Sequence, residues 1–193
     1  MRKVTTLFLG LLLLLFSPSR FEAQSVGGKI PNQRTVCLTA GANTIGPVNV
    51  PSNIPAKRLV ITSEIAGYGA PGETAAFQFN GDTGNNYSVI WVTWTGAAWA
   101  AGTNTAAATD RIRIGPADTQ AQRIVVATVH DNSAKTEHMI TFDSATGTGS
   151  TANSAVDVGS GKWVSAVATA ITSVKLVTTN ANMGAGSCLT VQW

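Results

Sequence analysis

The sequence predicts an all-β fold, an antiparallel β-sandwich of the jelly-roll type with roughly 8–11 strands. Short runs of β-branched and aromatic residues recur roughly every 8–14 residues, separated by clusters of Gly, Asn, Asp and Pro. Only 12% of the 193 residues are charged, and Gly, Thr, Ser, Asn and Val are abundant. No long amphipathic helical pattern is present, so composition and periodicity both favour β structure.

The first 25 residues are predicted to be a secretory signal peptide. Two basic residues follow Met1, and residues 7–16 form an apolar run. A helix over this run is about 15 Å long, roughly half of a bilayer core. Residues 23–25 offer small side chains for cleavage, which favours a signal peptide over the alternative, an uncleaved N-terminal anchor.

Removal of the signal peptide makes the protein nearly neutral. Taking away its three basic residues and Glu22 leaves ten basic and nine acidic residues. No Lys/Arg cluster of the kind that follows phosphates is present, so we expect no nucleic-acid partner. We also expect no membrane span once the signal is cleaved.

The two cysteines, Cys37 and Cys188, lie in the first and last predicted strands of the mature protein. An even count in an exported protein predicts a disulfide, which would require those strands to be neighbours. The alternative is a pair of free buried thiols that pack as small apolar residues.

Residues 77–94 are predicted to form a strand, a tight polar turn and a second strand, a β-hairpin at the centre of the domain. Residues 80–86 are rich in turn formers, and Gly81 and Gly84 are expected at positive φ. The second strand is apolar on both faces, which is typical of a central strand covered on both sides.

The other strands follow from period-2 alternation and flanking turn residues. Pro47 interrupts its strand, which therefore belongs at a sheet edge. A hairpin is expected across residues 131–134, and Gly159 and Gly161 mark a turn between two short strands. The predicted strands are residues 34–39, 44–50, 58–66, 111–114, 123–130, 136–142, 155–158, 162–168, 171–178 and 188–193.

Three segments are predicted to be loops. Residues 26–33 form a flexible lead-in to the β-sandwich domain, which spans 34–193. Residues 96–109 read as a small-residue loop that carries Trp99. Residues 143–154 are of low complexity and are expected to be a flexible surface loop.

Several short motifs occur in a recognisable order. They are residues 53–61, residues 79–87 (Phe-Asn-Gly-Asp-Thr-Gly-Asn-Asn-Tyr), residues 172–176 and residues 183–187 before the last strand. With them, most of residues 36–193 resembles the jelly-roll domains of tailed-phage virion appendage proteins.

That resemblance implies a structural or receptor-facing module without catalytic residues. It marks Asn80, Gly81, Asp82, Asn86 and Tyr87 as an architectural signature in the hairpin. The signal peptide and the cysteine pair depart from the pattern and favour an exported relative of the module.

Metal and nucleophile sites are not indicated by any motif. With residues 131–134 as a four-residue loop, His138 pairs with Ala127 on the face opposite His130, so a shared metal would need another register. Oxygen side chains in residues 80–86 have spacings that suit Ca²⁺, but a turn bonded to itself explains them better. No nucleophile elbow, zincin motif or P-loop is present, so we expect neither a cofactor nor enzymatic activity.

The five tryptophans are expected to lie mainly in the core, with Trp99 as the exposed candidate for ligand binding. We therefore expect a secreted, non-enzymatic structural or adhesive module that forms a homo-oligomer or other assembly. The alternative is a carbohydrate-binding module that recognises surface glycans, and a hydrolase with unrecognised residues ranks third.

Overall fold

The computed structural model describes residues 32–52, 58–70, 74–94, 98–114, 122–147, 155–179 and 181–193, with the backbone alone at 102–108. The predicted signal peptide and the lead-in up to residue 31 lie outside the described residues. Within the described ranges, no helix is long and apolar enough to cross a membrane.

The described residues form twelve β-strands and no helix, which confirms the all-β prediction. Every pair of neighbouring strands is antiparallel. The strands are β1 (Gln33–Cys37), β2 (Thr44–Asn49), β3 (Leu59–Ile65), β4 (Ala76–Phe79), β5 (Tyr87–Trp94), β6 (Trp99–Thr109), β7 (Ile112–Arg113), β8 (Gln122–Val129), β9 (Lys135–Gly147), β10 (Ala155–Thr169), β11 (Ser173–Val177) and β12 (Cys188–Gln192).

Two sheets form a β-sandwich. The larger sheet has eight strands in the order β1-β12-β3-β8-β9-β10-β5-β6, and the smaller has four in the order β2-β11-β4-β7. Without β5, β6, β9 and β10, the order is β1-β12-β3-β8 over β2-β11-β4-β7. The first strand then pairs with the last and the second with the last but one, which is jelly-roll winding. The four extra strands extend the larger sheet on one side.

The core lies between the sheets and follows the predicted period of two. In β3, Ile61 is fully buried while Glu64 is exposed on the opposite face. The aromatic centre of the core is built from β4, β5 and β10, where the ring of Trp163 lies 5.9 Å from Phe79 and 6.4 Å from Tyr87 between centroids. Apolar burial of this kind is the main stabilising contribution to the fold.

Two local predictions are confirmed by the sheet order. The Pro47-containing strand β2 is an edge of the smaller sheet. β8 and β9 pair as the expected hairpin, with Val129 opposite Ile140. β1 begins at Gln33, so the last residue of the predicted lead-in is part of a strand.

The predicted turn at Gly159–Gly161 is wrong, since β10 passes through it as one continuous strand. These glycines allow close packing instead of chain reversal. A Cβ on Gly159 would lie 2.3 Å from Cζ of Phe142 and 2.8 Å from the carbonyl oxygen of Ile90. A Cβ on Gly161 would lie 3.0 Å from Cδ1 of Ile112. Glycine in a strand interior often marks such a close approach.

Two predicted loops are also wrong. Residues 99–109 form β6, which pairs along β5 at the edge of the larger sheet. The first five residues of the predicted 143–154 loop complete β9, where the polar positions Ser144 and Thr146 point inward. Residues 148–154 lie outside the described ranges. Low sequence complexity indicated the second loop, but pairing of β9 to both neighbouring strands decides the structure there.

The predicted hairpin over residues 77–94 is the largest correction. β4 belongs to the smaller sheet and β5 to the larger, so residues 80–86 cross between the layers. Gly81 has the expected positive φ of 70°, and Asn80 has a φ of 52°. The expected positive φ is wrong for Gly84, whose N–H donates to Oδ1 of Asp82 at 2.8 Å.

Candidate functional site

The outer face of the larger sheet, which points away from the smaller sheet, carries most of the exposed large apolar side chains in the described residues. Apart from Val167, which lies beyond the register shift in β10, seven exposed large apolar side chains lie on its four strands β8, β9, β10 and β5. We name them the apolar patch: Ile90, Val92, Ile124, Val126, Met139, Val156 and Val158.

The strand register places six of these residues in three rows across the sheet, and places Met139 opposite Lys162 in the next row. Each row is named after its β3 residue. The Glu64 row continues through Ile124, Ala145, Val156 and Trp94 to Trp99. The Thr62 row continues through Val126, Asp143 and Val158 to Val92. The Val60 row continues through Thr128, Thr141 and Ser160 to Ile90.

The exposure of these side chains is high for aliphatic residues. Ile124 is 57% exposed, Ile90 51% and Val158 49%. The interpretation of β5 as a strand covered on both faces is therefore wrong in this chain, because Ile90 and Val92 face solvent. Monomeric soluble proteins rarely expose a contiguous apolar patch of this kind without using it.

The charged groups that the described residues place on the outer face are few: Arg58, Glu64, Asp143 and the ion pair of Lys162 with Glu137. Asp143 is exposed inside the patch, between Val126 and Val158. Glu64 and Arg58 are exposed at opposite ends of the β3 segment. The Arg58 guanidinium lies across the outer face, with Nη2 donating to Oγ1 of Thr128 at 3.4 Å.

Trp94 and Trp99 form an aromatic corner at the end of the Glu64 row. Their ring centroids are 5.4 Å apart with an interplanar angle of 48°. Trp99 is 60% exposed, which places the predicted ligand-binding residue on the surface. Trp94 lies on the same outer face, contrary to the expectation that it packs in the core, whereas Trp163 is buried as expected.

The predicted disulfide is confirmed: Cys37 and Cys188 are bonded across β1 and β12. The bridge lies on the outer face, beside a hydroxyl contact of 2.9 Å between Thr35 and Thr190. A shallow hollow of about 160 Å³ next to it is lined by Thr35, Thr62, Glu64, Cys188 and Thr190. It offers one carboxylate, which does not make a cation site.

A larger groove of about 470 Å³ lies at one end of β3, β8 and β9. Its polar lining residues are Glu64, Gln122, Arg123 and Thr146, beside Ile65, Ala66, Ile124 and Ala145. No nucleophile with an adjacent base lies among these residues. No group of three or more His, Cys, Asp or Glu side chains in the described residues is arranged to hold a metal.

The signature residues Asn80–Tyr87 form a bonded connection between the sheets. The Asn80 side chain accepts N–H bonds from Thr172 and Ser173 at 2.8 and 3.1 Å and donates to the Ala170 carbonyl at 2.9 Å. It thus ties the connection to the chain entering β11. Tyr87 Oη accepts the Phe79 N–H at 3.0 Å and donates to backbone oxygens on the same turn.

The Asp82 carboxylate is the centre of this connection. Oδ1 accepts from Gly84 N and Asn86 Nδ2, and Oδ2 accepts from Asn86 Nδ2 and, at 2.7 Å, from Trp163 Nε1. Burial raises the pKa of Asp82, but the hydrogen bonds from Trp163, Asn86 and Gly84 outweigh it and hold that pKa below its ordinary value. Burial raises the pKa of the Tyr87 hydroxyl. The carboxylate oxygens are thus used inside the turn, as the self-bonded interpretation expects.

A buried ion pair was not foreseen from the sequence. Arg123, 1% exposed, lies 3.3 Å from Oδ2 of the fully buried Asp157, and it also donates to the Ile114 carbonyl. Ser144 and Thr93 donate to the two Asp157 oxygens at 2.7 and 2.6 Å. Arg123 is in phase with the inward residues of β8, which is the signal that could have predicted its burial. Both carboxylate oxygens of Asp157 thus have partners inside the core, as a buried charge requires.

The two histidines lie on opposite faces of the larger sheet, as predicted. His130 is exposed and bonds Thr141 at 2.8 Å. His138 is buried, bonds the Thr169 carbonyl at 2.8 Å and stacks on Trp163 at 5.2 Å between centroids. The predicted register was wrong, since Ala127 is opposite Phe142 and not His138.

Comparison with known proteins assigns no family. No family model matches the chain, and no curated protein matches it. Among solved structures, a similarity of 13% identity and TM-score 0.14 is found to the VP2 subviral particle of infectious bursal disease virus. It covers 83% of this chain and 37% of that one. The outer face and its patch are thus the basis for assigning a function.

Proposed function

We propose that this protein is a non-enzymatic structural or adhesive module of an extracytoplasmic compartment, which docks through its apolar patch. The observation that carries the proposal is the row-by-row exposure of aliphatic side chains on one sheet face. A disulfide between the first and last strands supports an oxidising location. The signature residues contribute architecture, because their polar groups bond one another and β11.

A glycan-binding role has one supporting observation, the exposed Trp99. The geometry around it favours a protein contact instead. The Trp94 and Trp99 rings are tilted by 48° and do not make one flat platform. Their neighbour in the Glu64 row is Val156, which offers a sugar no hydrogen bond. Tryptophans beside aliphatic residues are typical anchors of protein interfaces.

The test places charge in the patch. A Val92→Lys, Val158→Lys variant should lose retention on a hydrophobic-interaction column and any self-association in sedimentation velocity. The control is Asn49→Lys, Asn85→Lys, which adds the same charge at exposed positions away from the patch and should behave as wild type. Equal retention and equal association of all three proteins would show that the patch does not dock.

A glycan array tests the alternative on the same proteins. We expect no binding by the wild type. Binding that Trp99→Ala abolishes, while the lysine variant of the patch retains it, would replace the proposal with the carbohydrate-binding function.

A further inference from the structure

We propose that the partner of the apolar patch is a second copy of this chain, related by a two-fold axis that runs across the strands between two facing larger sheets. The inference rests on the proposed docking role of the patch and adds the identity and register of its partner.

The charges on the outer face disfavour a lipid partner. An anionic membrane surface attracts clustered Lys and Arg. Here Asp143 lies in the patch and Glu64 at its border, while Lys162 is already paired with Glu137 at 3.3 Å. A sheet face with mixed, sparse charge and central aliphatic residues is the composition of a protein interface.

The size of the outer face fits a stable dimer. Six neighbouring strands of the larger sheet, in the order β3-β8-β9-β10-β5-β6, span about 29 Å across the sheet. The segment from Arg58 to Glu64 spans about 20 Å along the strands. The projected area is on the order of 600 Å², and the accessible surface of a side-chain layer exceeds its projection. A standard interface buries about 800 Å² per partner.

Charge complementarity fixes the direction of the axis. Arg58 and Glu64 have the same strand parity, lie on the same face and are about 20 Å apart, too far to pair within one chain. A two-fold axis perpendicular to the strands, between the Thr62 and Val60 rows, exchanges the two ends of β3. Arg58 then meets the partner subunit's Glu64, and Glu64 meets the partner subunit's Arg58.

The same axis sets the two middle rows against each other, with Val126 and Val158 over the partner subunit's Thr128 and Ser160. The Thr62 row lies over the partner's Val60 row, so Val92 meets the partner subunit's Ile90. Asp143 meets the partner subunit's Thr141, whose hydroxyl can donate to the carboxylate. An axis along β9 would instead place the two Asp143 carboxylates against each other. Aligned strands are one of the two common arrangements for stacked sheets.

A charge-reversal cycle tests this register by sedimentation equilibrium on the full folded chain. Glu64→Arg and Arg58→Glu each turn two attractive contacts into two repulsive ones, and each should weaken the dimer about tenfold or more. The double variant Glu64→Arg, Arg58→Glu restores both contacts and should return the dissociation constant to near the wild-type value. Lys175→Glu, which reverses a charge on the smaller sheet, is the control and should leave it unchanged.

The outcomes separate this inference from the proposed function. A monomeric wild type that still shows patch-dependent column retention overturns the second copy but leaves the docking role. A dimer that the patch lysines disrupt and the single charge reversals do not affect overturns the register. Single variants that weaken the dimer without rescue in the double variant also overturn it.

Discussion

Trp163 of β10 donates its indole N–H to the carboxylate of Asp82, 2.7 Å away and 81 residues earlier in the chain. The bond joins the connection between the sheets to a strand of the larger sheet. Because the Trp163 ring is itself packed against Phe79 and Tyr87, the position of the connection is fixed from both ends. Charge-assisted bonds of this kind are stronger than neutral ones.

Removing this acceptor should destabilise the fold. In Asp82→Ala, the donors Trp163 Nε1 and Gly84 N lose their charged partner. We expect a loss of about 2–3 kcal/mol in the free energy of unfolding, measured by urea denaturation. The neighbouring Thr83→Ala, at an exposed position, should change it by less than about 0.5 kcal/mol. Equal midpoints for the two variants would contradict the assigned role of Asp82.

The stabilisation by Asp82 should disappear in acid. The folded-state pKa of Asp82 is lowered, so its contribution is present above the ordinary value of 3.8 and is lost as pH falls through the folded-state pKa. The difference in unfolding free energy between wild type and Asp82→Asn should thus be constant from pH 7 to pH 5 and shrink below pH 4.

Comparing wild type with Asp82→Asn cancels the titration of the other carboxylates in this measurement. The bond from Lys135 lowers the pKa of Asp131 to about 2, and the bond from Arg111 lowers that of Asp110. Both groups titrate equally in wild type and in Asp82→Asn. A difference that stays constant down to pH 2 would be incompatible with a lowered Asp82 pKa.

The sequence predicted the layers better than the way the chain moves between them. The turn chemistry of residues 80–86 serves a hairpin and a crossing between sheets equally well, because both need local backbone bonds. The connection has seven residues, whereas a hairpin loop usually has two to five. This length is the main local sign of a crossing between sheets. Pairing of β4 with β11 is a long-range property.

The apolar positions on both faces of β5 were visible in the sequence, but the exposure of one face was not. Ile90 and Val92 alternate with inward residues of β5, and an apolar outer position has the same sequence whether it is covered or exposed. The smaller sheet has four strands against eight and covers the larger sheet on one face. Exposure therefore follows from the topology and not from the local pattern.

Gly159→Ala distinguishes the continuous strand from the predicted turn. The added Cβ would meet the Phe142 ring at 2.3 Å and the Ile90 carbonyl oxygen at 2.8 Å, so side chain and backbone must both shift. We expect a loss of about 1–3 kcal/mol, since overpacking of a dense core has this range. Gly147→Ala in β9 is the matched control, because a Cβ there has no heavy atom within 4 Å. Equal melting temperatures of the two variants would favour an open turn at Gly159.

The disulfide gives the last prediction. Cys37 and Cys188 are separated by 151 positions, and the bridge holds β1, whose five residues are all exposed, at the edge of the larger sheet. In the chain-entropy account, closing a loop of this length stabilises the fold by about 4–5 kcal/mol. Cys37→Ser, Cys188→Ser should therefore unfold at a lower urea concentration than wild type. Its free energy of unfolding should be lower by up to this amount.

Reductant provides the internal control for this experiment. Reduced wild type should match the double serine variant, and reductant should not affect the variant itself. In the serine variant, the rate of amide hydrogen exchange should increase most in β1, because few apolar contacts hold that strand in place of the bridge. Two titratable thiols in denatured protein recovered from its own compartment would contradict the bridge. An unchanged urea midpoint in the serine variant would contradict its stabilising role, since the entropy of the unfolded chain is the quantity that the bridge restricts.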